Sequence, residues 1–202
     1  MRAQAGSSRQ SLSSAMFREI TYTDASRSQA HDEVRGLVMD EEAFRSFYDR
    51  TARGLWLYLA RITGDRHQAD DLLQEAFYRF LRAGAAHDSE VHRRNSLYRI
   101  ATNLARDARR RSLARPHTDT EVESISTTRA SPEKRADLNR ALSQLKPRDR
   151  EMLWLAYAEG ASHQEIGEIL GLQTSSLKIL LFRARRRLAV LLGYEEAKNA
   201  AR

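Results

Sequence analysis

The sequence contains no cysteine, only three prolines and no long apolar run. Without cysteine, the chain forms no disulfide, no thiolate zinc site and no thiol-based redox sensor. None of its apolar segments approaches the roughly 20 residues that are needed to span a bilayer, and the N-terminus lacks the apolar core of a signal peptide. We therefore expect a cytoplasmic protein without membrane insertion.

Residue patterns that are typical of enzymes and metal sites are also missing. The sequence has neither a glycine-rich phosphate loop nor a nucleophile motif. Its six histidines do not fall at the spacings of metal ligands. They are His31, His67, His87, His92, His117 and His163. We therefore predict that the protein is not an enzyme and has no catalytic residue, no metal and no cofactor.

Positive charge is abundant and unevenly distributed. The 202 residues include 34 Lys and Arg against 27 Asp and Glu, which gives a net charge of +7. Residues 82–115 hold nine basic and three acidic side chains, and residues 172–202 hold seven and two. Residues 32–81 instead hold ten acidic and seven basic side chains. This distribution indicates two segments that suit a polyanion and one that suits a protein partner.

Apolar periodicity predicts an all-α fold with two small helical domains, at residues 36–115 and 132–194. Residues 1–35 are rich in Ser, Arg and Gln and lack a sustained apolar period, so we predict a mostly disordered tail. Residues 195–202 form a second, C-terminal tail. Between the domains, Thr, Ser, Asp and Glu replace core residues over 116–131, which predicts a flexible, mildly acidic linker.

The first domain is predicted to contain three helices. Apolar residues recur at spacings of three and four from Glu41, and Gly64 ends this helix. Asp65 is a predicted N-cap of the second helix, which ends near Gly84. The third runs from about Asn95 to Leu113, with an apolar side for packing and a polar side for a polyanion. The polar side carries Arg99, Thr102, Asn103, Arg106 and Arg110.

The second domain has the pattern of a helix-turn-helix. Ser162 and Glu165 are placed as a capping box, and Gly171 fits a left-handed turn before a helix that runs to Leu188. Opposite its packing leucines this helix carries Ser175, Lys178, Ile179, Phe182, Arg183 and Arg186. Basic groups contact phosphates or guanine edges, and apolar groups contact the thymine methyl, so we predict duplex DNA binding. The alternative is an ordinary solvated basic face.

Several separated motifs, in this order, resemble those of the extracytoplasmic-function (ECF) family of RNA polymerase sigma factors. The resemblance covers about residues 41–192. In the first domain the motifs are FRSFY at 44–48, GD at 64–65, ADDLLQEAF at 69–77 and LYRIATNLARD at 97–107. In the second domain they are LKPRDRE at 145–151, LK at 177–178 and LFRAR at 181–185. They resemble regions 2 and 4 of that family.

The resemblance implies a factor that binds core RNA polymerase, directs it to specific promoters and promotes DNA melting. The surface for the beta-prime clamp helices of core polymerase would be Asp70, Asp71, Gln74 and Glu75. The polar side of the 95–113 helix would hold the non-template strand of the minus-ten element. The basic side of the helix up to Leu188 would contact the minus-thirty-five element. The beta flap and an anti-sigma protein are the further partners that the resemblance implies.

The sequence departs from the family at two places. Ser96 stands where the family commonly has Trp, and an aromatic stacking wall contributes about 1 to 3 kcal/mol per base. Ile179 and Leu180 stand where relatives often have polar residues, so we expect a different target sequence. Two other functions compete with the sigma-factor interpretation. They are a stand-alone dimeric helix-turn-helix regulator and a helical adaptor whose basic faces bind acidic protein.

Overall fold

The computed structural model describes residues 39–84, 89–113 and 132–194. The predicted tails, residues 1–35 and 195–202, and the predicted linker at 116–131 lie outside the described residues. Within the described part, none of the helices combines the length and apolarity that crossing a membrane requires.

The described residues form seven helices and confirm the predicted all-α fold. They are α1 (Glu41–Thr63), α2 (Arg66–Arg82), α3 (Glu90–Leu113), α4 (Pro132–Gln144), α5 (Pro147–Tyr157), α6 (His163–Leu170) and α7 (Thr174–Leu191). Helix α3 begins five residues before the predicted start at Asn95. The Ser89 hydroxyl accepts a hydrogen bond from the His92 amide, and Glu90 complements the helix dipole, so polar residues start the helix before its apolar period begins.

The predicted signals at the helix ends are confirmed. Asp65 accepts a hydrogen bond from the Gln68 amide at 3.1 Å, and Gly64 ends α1 with a φ of 79°. Ser162 and Glu165 form a reciprocal capping box at α6. Gly171 ends α6 with a φ of 68°, which is the left-handed conformation that glycine adopts without steric cost. The caps at Ser162 and Gly171 fix the two ends of the first helix of the helix-turn-helix.

Helices α1, α2 and α3 bury an aromatic core. Phe47 stacks on Phe80 with 5.3 Å between ring centroids, and Phe77 meets Phe47 edge-on at 6.3 Å. The ring centroids of Tyr58 in α1 and Tyr98 in α3 lie 5.5 Å apart. Because large aromatic side chains bury much apolar area, these contacts fix the position of α3 relative to α1 and α2.

The core of the second domain is aliphatic. Its fully buried side chains include Met152, Leu155, Ile166, Ile169 and Leu177, from α5, α6 and α7. At Gly167 a Cβ atom would lie 2.8 Å from the Leu172 carbonyl oxygen, closer than side chains tolerate. The turn therefore passes so close to α6 that position 167 accommodates only glycine without a backbone shift. This close packing positions α7 against α6.

The two domains pack against each other in this structure. Helix α3 of the first domain contacts α6 of the second, and α1 contacts α5. Arg61 of α1 lies over the indole ring of Trp154 at 5.4 Å. The sequence predicts two domains but not this contact between them.

Candidate nucleic-acid interface

Helix α2 presents the predicted acidic surface, which we define as Asp70, Asp71, Gln74 and Glu75. Three of the four side chains are exposed, and Glu75 is half-buried in an ion pair with Arg79 at 2.6 Å. The Trp56 indole of α1 donates a hydrogen bond to Asp70 Oδ1 at 2.6 Å. Trp56 also packs against the hydrophobic core, and no local pattern in the sequence shows that its indole reaches Asp70. The bond ties the acidic surface to α1 and orients one of its carboxylates.

Helix α3 places Arg99, Asn103 and Arg110 at the surface, where the sequence predicts them. The prediction that Thr102 lies on the same exposed side is wrong, because this residue is fully buried. Its hydroxyl lies 2.8 Å from the Tyr58 hydroxyl and donates to the Tyr98 carbonyl at 2.7 Å. Since α3 packs on α1 and also on the second domain, its buried arc is wider than the apolar period alone indicates.

Arg106, the remaining member of the predicted set on α3, is half-buried and paired. Its Nη2 atom lies 2.7 Å from Glu151 Oε2 of the second domain. Burial works against the charge of Arg106, but the hydrogen bond and the negative charge of Glu151 outweigh it and raise the pKa of the guanidinium. In this arrangement the Arg106 guanidinium pairs with the Glu151 carboxylate and not with a phosphate.

A cavity of about 440 Å³ lies next to the exposed residues of α3. It is lined by Arg79, Leu104, Asp107, Arg110 and Arg111. Arg79 comes from α2, so the cavity is formed between two helices. Of these lining residues, only Arg110 belongs to the set that the sequence predicts for α3. The period of one helix does not show which side chains a neighbouring helix contributes to the same cavity. Its three arginines suit a phosphate group, which would displace Glu75 from Arg79 and Asp107 from Arg110.

Helix α7 exposes the whole predicted set, which we call the recognition face: Ser175, Lys178, Ile179, Phe182, Arg183 and Arg186. The opposite side of α7 buries Leu177, Leu181 and Ala184. Ile179 and Phe182 are 55% and 58% exposed, although both are large and apolar. Apolar groups between cations match a DNA groove, where they contact thymine methyls while the cations contact phosphates or guanine.

The interface between the domains contains a carboxylate that sequence reasoning misses. Glu159, in the turn between α5 and α6, accepts hydrogen bonds from Arg94 at 2.9 Å and from the Tyr98 hydroxyl at 2.7 Å. Its second oxygen accepts from the Trp154 indole at 3.2 Å. Burial and the negative charge of Glu159 raise the pKa of Tyr98. No pattern in the sequence indicates these contacts, because Glu159 lies 65 residues from Arg94 and 61 residues from Tyr98 along the chain.

Comparison with protein families identifies both domains. Residues 47–115 match the model "Sigma-70 region 2", and residues 135–188 match the model "Sigma-70, region 4". The first match contains α3 and the acidic surface, and the second contains the recognition face.

Full-length relatives match across both domains. The chain is 31% identical over 166 residues to RNA polymerase sigma factor CarQ of Myxococcus xanthus, covering 79% of this chain and 95% of CarQ. It is 31% identical over 167 residues to ECF RNA polymerase sigma factor SigL of Mycobacterium tuberculosis, covering 79% and 94%. ECF RNA polymerase sigma factor SigW of Bacillus subtilis is 31% identical over 168 residues, which cover 74% of this chain and 88% of SigW.

Solved structures share the fold. The structure of CnrH in complex with the cytosolic domain of CnrY has a TM-score of 0.61 at 23% identity and covers 80% of this chain and 95% of that one. Sigma factor RpoE in complex with the anti-sigma factor NepR from Bartonella quintana has a TM-score of 0.58 at 20% identity, with coverages of 74% and 96%. Together with the two family matches and the relatives that align along nearly their whole length, these findings show that the chain belongs to the ECF family of RNA polymerase sigma factors.

Proposed function

We propose that this chain binds core RNA polymerase, directs it to promoters that contain two recognised elements, and promotes melting of the DNA. The observation that carries the proposal is that three surfaces of different chemistry lie on separate helices. An acidic surface lies on α2, a row of Arg and Asn on α3, and a mixed basic and apolar face on α7. A regulator that only binds duplex DNA needs the last of these surfaces alone.

The acidic surface is the docking site for core polymerase. Asp70, Asp71 and Gln74 are exposed, and Trp56 holds the Asp70 carboxylate in one orientation. Carboxylates repel DNA, so a protein partner with basic groups is the appropriate ligand. By analogy with the family, that partner is the pair of beta-prime clamp helices, and the second domain contacts the beta flap. The chain contributes no catalytic group, because the polymerase carries out the chemistry.

Helix α3 is the reader of the minus-ten element. Arg99, Asn103 and Arg110 hold the non-template strand through phosphate and base contacts, and these offset the few kcal/mol that unstacking a base costs. The arginine-lined cavity beside Arg110 takes a backbone phosphate of the same strand. Thr102 supports this row from inside the domain through its hydrogen bond to Tyr58 and does not contact DNA.

The recognition face of α7 is the reader of the minus-thirty-five element. Lys178, Arg183 and Arg186 are exposed cations that contact phosphates or guanine edges. Ile179 and Phe182 lie between them and contact thymine methyls. Because Ile179 and Leu180 take positions that are often polar in the family, the preferred sequence of this element differs from the usual one.

An anti-sigma protein is a further partner under this proposal. In the RpoE structure of Bartonella quintana, which shares this fold, the sigma factor is bound to the anti-sigma factor NepR. We extend that arrangement to this chain: a protein inhibitor masks the acidic surface or α3 and is released when the factor is needed. The place of action is the cytoplasm, and the nucleoid when the chain is part of the holoenzyme.

Run-off transcription distinguishes this proposal from its alternatives. The proposed function predicts specific transcripts only when the chain and core polymerase are both present. A stand-alone dimeric regulator would instead protect a palindromic site by itself, and core enzyme would add nothing. A helical adaptor for acidic proteins would lack the steep loss of DNA affinity with salt that counterion release produces.

A further inference from the structure

The cavity between α2 and α3 is larger than one phosphate group needs. Its volume of about 440 Å³ lies in the range of about 300 to 1,000 Å³ that is typical of small-molecule sites. A phosphate group is only a few times the size of a water molecule, which takes about 30 Å³ in the liquid, so it fills a minor part of this volume. The cavity therefore has room for a phosphate together with a ring system.

The charges around the cavity favour a terminal phosphate over a phosphate inside a strand. Three arginines and one acid, Asp107, are among the described residues that line it, which leaves a surplus of two positive charges. A phosphomonoester carries a charge of about −1.5 to −2 at neutral pH, whereas each phosphodiester of a strand carries one negative charge. A monoester therefore neutralises the surplus more completely.

The three arginines can exchange their present partners for a phosphate. Arg79 pairs with Glu75 at 2.6 Å and Arg110 with Asp107 at 2.5 Å, and these four side chains are 42% to 77% exposed. Ion pairs this exposed contribute little to stability, whereas arginine binds a phosphate through two parallel hydrogen bonds. Arg111 forms no ion pair with any residue in the described part of the chain. Guanidinium groups from two helices are thus available to one ligand.

The rest of the lining suits the organic part of a ligand. Leu104 and the methylene stems of the arginines supply apolar surface, and guanidinium planes stack on aromatic rings. Once Arg110 turns to a phosphate, the Asp107 carboxylate accepts a hydrogen bond from a hydroxyl or amino group. A phosphate, a planar ring and hydroxyl donors occur together in a nucleoside monophosphate.

We propose that the cavity between α2 and α3 binds a free nucleoside monophosphate through Arg79, Arg110 and Arg111. Because Arg110 also belongs to the minus-ten set, the bound nucleotide competes with the promoter strand for this residue. The concentration of a small phosphorylated compound then determines how readily α3 binds the strand. Nucleotide binding by the free chain does not depend on the proposed function, and only the competition rests on it.

Calorimetric titration of the full chain tests the site directly. The probes are adenosine and guanosine 5′-monophosphate, inorganic phosphate and adenosine. The cavity variant is Arg79→Gln with Arg111→Gln, which keeps Arg110. The matched control is Arg45→Gln with Arg140→Gln, which also takes two exposed arginines from helices and lowers the net charge equally.

We expect both nucleotides to bind the wild-type chain and the control at least about tenfold more tightly than inorganic phosphate or adenosine, since only the nucleotide uses both parts of the cavity. The cavity variant should bind the nucleotides at least about tenfold more weakly than the control, because it loses two charged contacts to the phosphate.

Asp107→Ala gives a second readout. Loss of the carboxylate charge strengthens the binding of every anion, so the ratio of nucleotide affinity to phosphate affinity reports the hydrogen bond from Asp107 to the organic part. We expect this ratio to fall. A merely electrostatic role of Asp107 would leave the ratio unchanged.

A dinucleoside monophosphate distinguishes the two sources of phosphate. It has the same rings as adenosine monophosphate, but its single phosphate is a diester, as in a strand. We expect it to bind more weakly than the nucleoside monophosphate. In the holoenzyme, added nucleotide should lower the affinity for a labelled minus-ten strand with the control chain and not with the cavity variant.

Three results would overturn the proposal. One is no nucleotide binding at millimolar concentration, or equal binding by the cavity variant and the control. Another is binding of inorganic phosphate or of the dinucleotide as tight as that of the monophosphate, which would show a simple anion site or a strand site. The last is nucleotide binding without competition in a holoenzyme that binds the strand. The titrations need neither core polymerase nor promoter DNA, so a failure of the run-off assay is recognised separately.

Discussion

The indole nitrogen of Trp56 lies 2.6 Å from Asp70 Oδ1, so a tryptophan of α1 orients a carboxylate of the acidic surface on α2. A hydrogen bond to a charged group contributes about 1.5 to 3 kcal/mol when its geometry is good. Trp56 also packs against the core of the first domain. The position of Asp70 thus depends on a residue outside the surface that it belongs to.

Removal of this hydrogen bond should weaken assembly with core polymerase. We expect Trp56→Phe, which keeps an aromatic ring and loses the donor, to reduce the affinity for core enzyme by about tenfold, the equivalent of about 1.4 kcal/mol. Titration of labelled chain with core polymerase measures it. In a double-mutant cycle, Trp56→Phe should have little further effect once Asp70→Ala has removed the acceptor. Additive losses would show that Trp56 acts through packing and not through Asp70.

Substitutions on the recognition face should distinguish residues that contact bases from residues that contact phosphates. Phe182 is largely exposed, so we expect Phe182→Ala to lower the affinity for duplex promoter DNA and to leave the free energy of unfolding almost unchanged. Arg183→Ala should instead reduce the slope of log affinity against log salt by about 0.9, the value for one lost phosphate contact. Filter binding over a salt series measures both. An equal salt slope in both variants would argue against a phosphate contact at Arg183.

The close approach at Gly167 makes a prediction about stability. A methyl group there meets the Leu172 carbonyl oxygen, so we expect Gly167→Ala to destabilise the second domain by about 1 to 3 kcal/mol. Urea unfolding followed by circular dichroism measures the change. Gly171→Asn is the comparison, since asparagine tolerates the left-handed conformation and no atom lies within 4 Å of a Cβ at that position. It should cost less than Gly167→Ala, and the reverse order would contradict the geometry.

The capping box of α6 should give a pH-dependent contribution to stability. The hydrogen bond from the Ser162 side of the box lowers the pKa of Glu165, so the ionised carboxylate is favoured in the folded chain. Because the pKa of Glu165 is lower in the folded chain than in the unfolded chain, its ionisation stabilises the fold at any pH above the ordinary pKa of a glutamate. This contribution is lost as the pH falls through the pKa of the folded chain. We expect Ser162→Ala to cost about 1 kcal/mol at neutral pH.

At a pH below the titration of Glu165, the same substitution should cost less, because the charged part of the box is already lost in the parent chain. Thermal unfolding of both chains at neutral and acidic pH measures the difference. A larger effect of Ser162→Ala in acid than at neutral pH would contradict the direction of the pKa shift.

Local sequence signals predict the helices, their caps and the exposed side of α7, because these depend on residues within one or two turns. Asp65, Ser162 and Gly171 are examples: each acts on backbone groups a few positions away. The acidic surface is also visible in the sequence, since consecutive carboxylates stay exposed when they have no buried partner.

Two features of α3 could not be predicted in this way. Thr102 lies in the polar arc of the helical period, but a threonine that donates to the carbonyl four residues earlier tolerates burial, and Tyr58 supplies a second partner. The contact between Arg106 and Glu151 joins residues on either side of the linker. A helical period determines which side of one helix is apolar, and it carries no information about which distant domain covers the other side.

Run-off transcription from promoter DNA that the reconstituted holoenzyme itself selects tests the proposed function in a single assay. We expect a specific transcript with wild-type chain and core polymerase. We expect the transcript to be lost when Asp70→Asn and Asp71→Asn block assembly, or when Lys178→Ala and Arg183→Ala disable the recognition face. Selection of the same DNA by the chain without core polymerase, with no transcript when the enzyme is added, would contradict the proposed function.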